Sequence, residues 1–91
     1  MRIIWDNEKN KKLIRERGLS FDEFSTLILD GKYTDILQNP SRKNQKIFIV
    51  LHNGYTYVVP FVVDNENNIV LKTIFPSRKH HQLYKVKNEK N

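Results

Sequence analysis

The sequence predicts an α+β fold: a short strand, two helices, an antiparallel meander of about four strands, and a short C-terminal helix. Three observations carry this reading. Ser20-Phe21-Asp22-Glu23 has the residues of a capping box, the local code for a helix start. After Gly31 the apolar period changes from helical to alternating or continuous. Asn53-Gly54, whose residues tolerate positive φ, separates two apolar runs in the way a two-residue hairpin turn does.

Taken in order, Arg2 to Trp5 reads as a strand. Asp6 is an N-cap for a helix from Asn7 to about Arg17, with Glu8 near its positive end. The apolar stripe of this helix is thin, Leu13 and Ile14, and Gly18 is placed to end it in the left-handed conformation. In the next helix Ser20 and Glu23 are expected to satisfy each other's free backbone N–H groups, with Leu19 and Phe24 as a hydrophobic staple. That helix buries Phe24, Leu27 and Ile28 and stops at Gly31. Tyr33 to Leu37, Lys46 to His52, Tyr55 to Val63 and Ile69 to Phe75 read as strands, with Asn39-Pro40-Ser41 as a turn and residues 64–68 as a polar loop. Ile47-Phe48-Ile49-Val50-Leu51 is apolar on both parities, the pattern of a central strand covered on both faces. Pro60 calls for an edge position or a bulge. Pro76-Ser77 opens a last helix, capped by Ser77 and reaching about Lys85. Residues 1–85 are expected to form the single domain, and 86–91 a disordered polar tail.

Size and composition narrow the function. A 91-residue chain makes one domain. It buries only about 60–65% of the surface its unfolded chain exposes, so a shallow groove is expected rather than a deep cavity. Sixteen Lys and Arg against ten Asp and Glu give a net charge of +6, which favours polyanionic partners: RNA, DNA or an acidic protein. The absence of cysteine excludes disulfides, a Cys-type zinc site and a thiol nucleophile. No apolar run approaches the ~18 residues of a membrane span, no signal peptide is visible, and a cytoplasmic location is expected. With three glycines and no glycine-rich phosphate loop, no nucleotide cofactor is expected. The three histidines are scattered, and neighbours such as His80 and His81 point about 100° apart on a helix, so no metal site is expected. The carboxylates form no catalytic pair: Asp6 and Glu23 are assigned to their caps.

Ile4-Trp5-Asp6 with Lys9-Asn10, then Leu13-Ile14-Arg15-Glu16-Arg17-Gly18-Leu19-Ser20-Phe21-Asp22-Glu23, and Lys72-Thr73-Ile74-Phe75-Pro76-Ser77-Arg78-Lys79 with Tyr84, together resemble the BrnT family of toxins from bacterial toxin–antitoxin pairs. The likeness spans roughly residues 2 to 84. It implies a RelE-like fold, endoribonuclease activity on RNA, and a small DNA-binding antitoxin, of ribbon-helix-helix or similar type, encoded alongside. The chain departs from the family's pattern where Arg17 stands at a position often occupied by histidine, and where Ser77-Arg78 stands for paired arginines.

Metal-free RNA cleavage requires a proton to leave the 2′-hydroxyl, positive charge on the phosphorane, and a proton for the departing 5′-oxygen. Arg78, just past a strand end and at a helix start, is the first candidate for gripping phosphate. Lys46 and Lys72 are expected beside it on the groove face, with His80 or a lysine moving protons. Arg17, Lys12 and Lys79 extend the basic surface for RNA, and Tyr84 either stacks on a base or packs its helix on the sheet. Tyr55 and Tyr57 read as cross-strand packing residues, and His52 as a turn-flanking polar residue. Three functions stay open: a toxin ribonuclease, a module of the same fold that binds RNA or an antitoxin without cutting, and a structural partner protein. An antitoxin is expected to cover the exposed apolar sheet face or the last helix with Arg78.

Overall fold

The computed structural model describes residues 2–89, with side chains through residue 84. Its sheet has the strand order β1-β5-β4-β3-β2, built from β1 (Ile3–Ile4), β2 (Asp35–Gln38), β3 (Lys46–His52), β4 (Tyr55–Val63) and β5 (Ile69–Leu71); β6 (Phe75–Pro76) also pairs with β4. The antiparallel run from β2 to β5 is the expected meander, and β1 joins parallel to β5. α1 (Asn7–Arg17) and α2 (Phe21–Leu29) cover one face, and α3 (Arg78–Glu89) covers the other. The helical backbone of α3 passes Lys85 and continues through much of the expected tail; residues 90 and 91 lie outside the described residues.

Two covered faces explain the unbroken apolar run of β3. Phe48 and Val50 join Leu13, Leu19, Phe21, Phe24 and Ile28 in the larger core, while Ile47 and Ile49 pack with Val58 and Tyr84 on the α3 side. Burying each such side chain is worth about 1.5–3 kcal/mol, so both faces contribute to stability.

The helix starts follow local chemistry. Asp6 accepts from the backbone N–H groups of Glu8 and Lys9 at 2.8 and 3.1 Å. Gly18, at φ 67°, donates to the Ile14 carbonyl and closes α1. Asn10 ties the two helices together: its Oδ1 accepts from the Phe21 N–H at 2.8 Å, and its Nδ2 donates to Asp22 at 2.7 Å. The expected capping box is half formed. Ser20 Oγ accepts from the Glu23 N–H at 3.1 Å, but the Glu23 carboxylate turns to His52, with Oε1 and Nε2 3.4 Å apart. The hairpin turn has Asn53 at φ 50° and Gly54 at φ 78°, the positive values a type I′ turn requires.

The main correction to the expected elements is the last strand, which is split by a bulge. Phe61 pairs with Leu71, and Val58 with Phe75. Between these pairs β4 has Val59 and Pro60, whereas the facing chain has Lys72, Thr73 and Ile74. Pro60 is the cause. Its carbonyl accepts from the Lys72 N–H at 2.8 Å, but it has no N–H to return to the Lys72 carbonyl, so the ladder fails on that side. The extra residue inverts the side-chain alternation. Leu71 and Ile74, three positions apart, both enter the main core, and Phe75 is turned to the surface, 37% exposed. The second strand also starts later than expected, at Asp35 instead of Tyr33, although the Thr34 N–H already donates to the Ile49 carbonyl.

Candidate nucleic-acid interface

A groove of about 660 Å³ opens between α1, the 39–45 loop and the bulge. Lys9, Lys12, Glu16 and Arg17 line it from α1, Arg42 from the loop, and Lys72 from the bulge. Lys9, Lys12 and Glu16 share one helix face because they stand three and four residues apart, and Leu13 from the same face anchors the helix in the core. Arg17 is fixed across the wall. Its Nη1 donates at 3.1 Å to the carbonyl of Ile74, a residue of the bulge. A guanidinium has five donors, so this bond leaves others for a ligand. Five cations around one carboxylate make a hollow whose chemistry suits a polyanion.

Of the residues expected at the site from the sequence, Lys72, Lys12 and Arg17 are brought together here. Lys46, Arg78 and Lys79 are not among the lining residues. The expected convergence of Arg78, Lys72 and Lys46 in a single hollow therefore does not occur. Lys46 is exposed at the first position of β3. Arg78 and Lys79 are exposed in the first turn of α3, which packs on the face opposite α1.

Both histidines of α3 are engaged away from the groove. The Ser77 Oγ accepts from the His80 backbone N–H at 3.3 Å and lies 2.7 Å from His80 Nδ1. A hydroxyl that accepts one bond and donates the other fits this geometry, with a neutral ring accepting at Nδ1. Burial, and then the charge of Lys79, hold the His80 imidazole below its ordinary titration range. His81 lies 3.1 Å from Thr56 Oγ1 and stacks on Tyr55 at 4.3 Å between ring centroids. Tyr84 is corrected from a base-stacking candidate to a packing residue: it is buried among Ile47, Ile49 and Val58, and its hydroxyl donates to Asp35 at 2.9 Å. Burial and the Asp35 carboxylate push the Tyr84 phenol up from its ordinary value. Among the described residues, no group of three or more His, Cys, Asp or Glu could hold a metal ion, and no helix is long and apolar enough to cross a membrane.

Sequence reasoning missed Lys9, Glu16 and Arg42. Helical spacing from Lys12 would have found Lys9 and Glu16; nothing local marks Arg42, which reaches the groove only through the path of its loop.

Neither a family model nor a curated protein matches the sequence. A search of solved structures returns the Brucella abortus ribonuclease toxin BrnT, 20% identical, with a TM-score of 0.64 over 85% of this chain and 96% of that one. At this identity the agreement is one of backbone path rather than of sequence. The chain has the RelE-like α+β fold of BrnT.

Proposed function

We propose that this chain is the RNA-cleaving toxin of a toxin–antitoxin pair, acting in the cytoplasm and binding RNA in the groove between α1 and the bulge. The observation that carries this reading is the set of five cations around Glu16, one of them locked to the strand through Ile74. The shared fold of a ribonuclease toxin supports it. RNA phosphates are held by Arg17, Arg42 and the groove lysines, which stabilise the extra negative charge of the phosphorane without a metal ion. The ribose 2′-oxygen bonds to phosphorus while Glu16 takes its proton. The bond from phosphorus to the 5′-oxygen breaks, and a groove lysine, Lys12 or Lys72, protonates the leaving oxygen. The products are a 2′,3′-cyclic phosphate and a 5′-hydroxyl end. Glu16 takes the base role because the groove lining contains no histidine.

A cognate antitoxin, a small DNA-binding protein, is the partner this reading requires. The apolar hollow bounded by Leu29, Ile36 and Val63, each at least 40% exposed, is the surface such a partner would shield.

The histidine-free lining favours one second reading, in which the groove binds RNA and leaves it intact. Purified protein incubated with single-stranded RNA in EDTA separates the two. Cleavage is expected to persist in EDTA and to fall about 100-fold or more in Glu16→Gln, while RNA binding is retained or strengthened by the lost negative charge. RNA that is bound yet uncut after long incubation establishes the second reading. Cleavage that stops in EDTA overturns the mechanism.

A further inference from the structure

The ladder between β2 and β3 runs one step past its last strand pair. Gln38 faces Lys46, and beyond them the Asn39 N–H donates to the Gln45 carbonyl at 3.0 Å. Asn39 and Gln45 are therefore a cross-strand pair, and their side-chain amides meet on one sheet face, with Asn39 Nδ2 donating to Gln45 Oε1 at 3.2 Å. That face is also the one to which Lys72 turns. Ile47, two residues on from Gln45, packs on the α3 side, and Lys72 points the same way because Leu71 before it enters the main core. Asn39, Gln45 and Lys72 all line the cationic groove. We infer that Gln45 reads the exocyclic group of an RNA base in this groove and selects the keto bases, uracil and guanine, over the amino bases, cytosine and adenine. The inference rests on the RNA-binding reading above and assigns its base preference.

The polarity of the amide pair is fixed by a backbone group that can only donate. The Ser41 N–H reaches Asn39 Oδ1 at 2.9 Å, so the other end of the Asn39 amide is the donor Nδ2. Nδ2 donates in turn to Gln45 Oε1, which leaves Nε2 as the end that Gln45 offers to a ligand. Among the described residues no acceptor meets that Nε2. The backbone holds the pair in place. The Gln45 N–H donates to the Arg42 carbonyl at 3.1 Å, and the Arg42 N–H to the Asn39 carbonyl at 3.4 Å. Gln45 is half-buried between the exposed Asn44 and Lys46. These bonds orient the donor before RNA arrives and tie it to the loop that supplies Arg42, one of the groove cations. An uncharged amide adds little to a phosphate grip that five cations already supply. Against a base edge it decides. Uracil O4 or guanine O6 accepts from an N–H, whereas the amino group at the same place in cytosine or adenine donates and leaves two donors facing each other. A neighbouring lysine or arginine cannot relieve that clash, since each is a donor as well.

The test uses the full chain with fluorescein-labelled uridine and cytidine hexamers, read by anisotropy, and with inorganic polyphosphate as the baseless control. The wild type is expected to bind the uridine hexamer about tenfold more tightly than the cytidine hexamer. Gln45→Leu removes the donor and is expected to bring the two hexamers level, with polyphosphate binding unchanged. Gln45→Glu keeps the acceptor for Asn39 and places a second acceptor where Nε2 stood. Its charge is expected to weaken every ligand, while the ratio of the two hexamers reverses in favour of cytidine. A purely structural part for Gln45 would instead lower both hexamers and polyphosphate together and leave the ratio as in the wild type. That result, or equal binding of the two hexamers by the wild type, overturns the inference while the RNA reading stands. If the wild type takes polyphosphate but neither hexamer, or no ligand at all, the RNA reading falls and the base preference with it.

Discussion

Arg17 links fold and groove at the level of a single residue. Its guanidinium satisfies the Ile74 carbonyl in the bulge, and it is also one of the groove cations. Lysine has the charge but not the planar fork, so it cannot hold the carbonyl and present parallel donors to phosphate at the same time. His80 has a different part. Its neutral ring accepts from Ser77 at the start of α3, so protonation removes that acceptor and places a second charge beside Lys79. Because the folded-state pKa lies below the ordinary 6.5, the contribution of His80 is complete above about pH 6.5 and is lost as the pH falls through the folded value. The urea midpoint of the wild type is therefore expected to drop on acidification from neutrality by more than that of His80→Gln. Parallel declines in the two proteins would show that His80 does not govern the acid limb.

Elements differ in how far their own residues determine them. β3, the Asn53-Gly54 turn and β4 have the bounds their sequences predict, because alternation, burial and turn chemistry are all local there. The last strand was not legible as two pieces. Pro60 announces that a ladder bond is missing, but which neighbour yields, and by how many residues, depends on the strand opposite. The resulting geometry can be tested at the two residues that follow the bulge. It sends Ile74 into the core and Phe75 to the surface, the reverse of unbroken alternation from Leu71. Ile74 is fully buried, so Ile74→Ala is expected to cost about 2–5 kcal/mol, the range of a large core truncation, whereas Phe75→Ala is expected to cost much less. Chemical denaturation of the two variants is the check. Equal losses would mean the alternation is not inverted.

Across the whole molecule, the groove cations come from three separate parts of the chain, and only the folded sheet gathers them. α1 alone supplies Lys9, Lys12 and Arg17, a cluster that helical spacing can reveal; Arg42 and Lys72 are separated by 30 positions and meet through long-range packing. The same long-range geometry removes Arg78 and Lys79 from the cluster, since α3 crosses to the other face. Net charge therefore overstates the site: the molecule carries sixteen Lys and Arg, but among the described residues five line the groove. This separates focused binding from diffuse attraction. Each phosphate neutralised on a single strand contributes about −0.7 to the slope of log K against log salt concentration, so five contacts set a limit of about −3.5. For a short single-stranded RNA, fluorescence anisotropy across a potassium chloride series is expected to give a slope no steeper than this. Replacing Arg42 and Lys72 together by glutamine should flatten the slope by about 1.4, whereas the same change at Arg78 and Lys79 should leave it nearly unaltered. Equal flattening by both pairs would mean that RNA spreads over the general basic surface, and the groove would lose its claim to be the binding site.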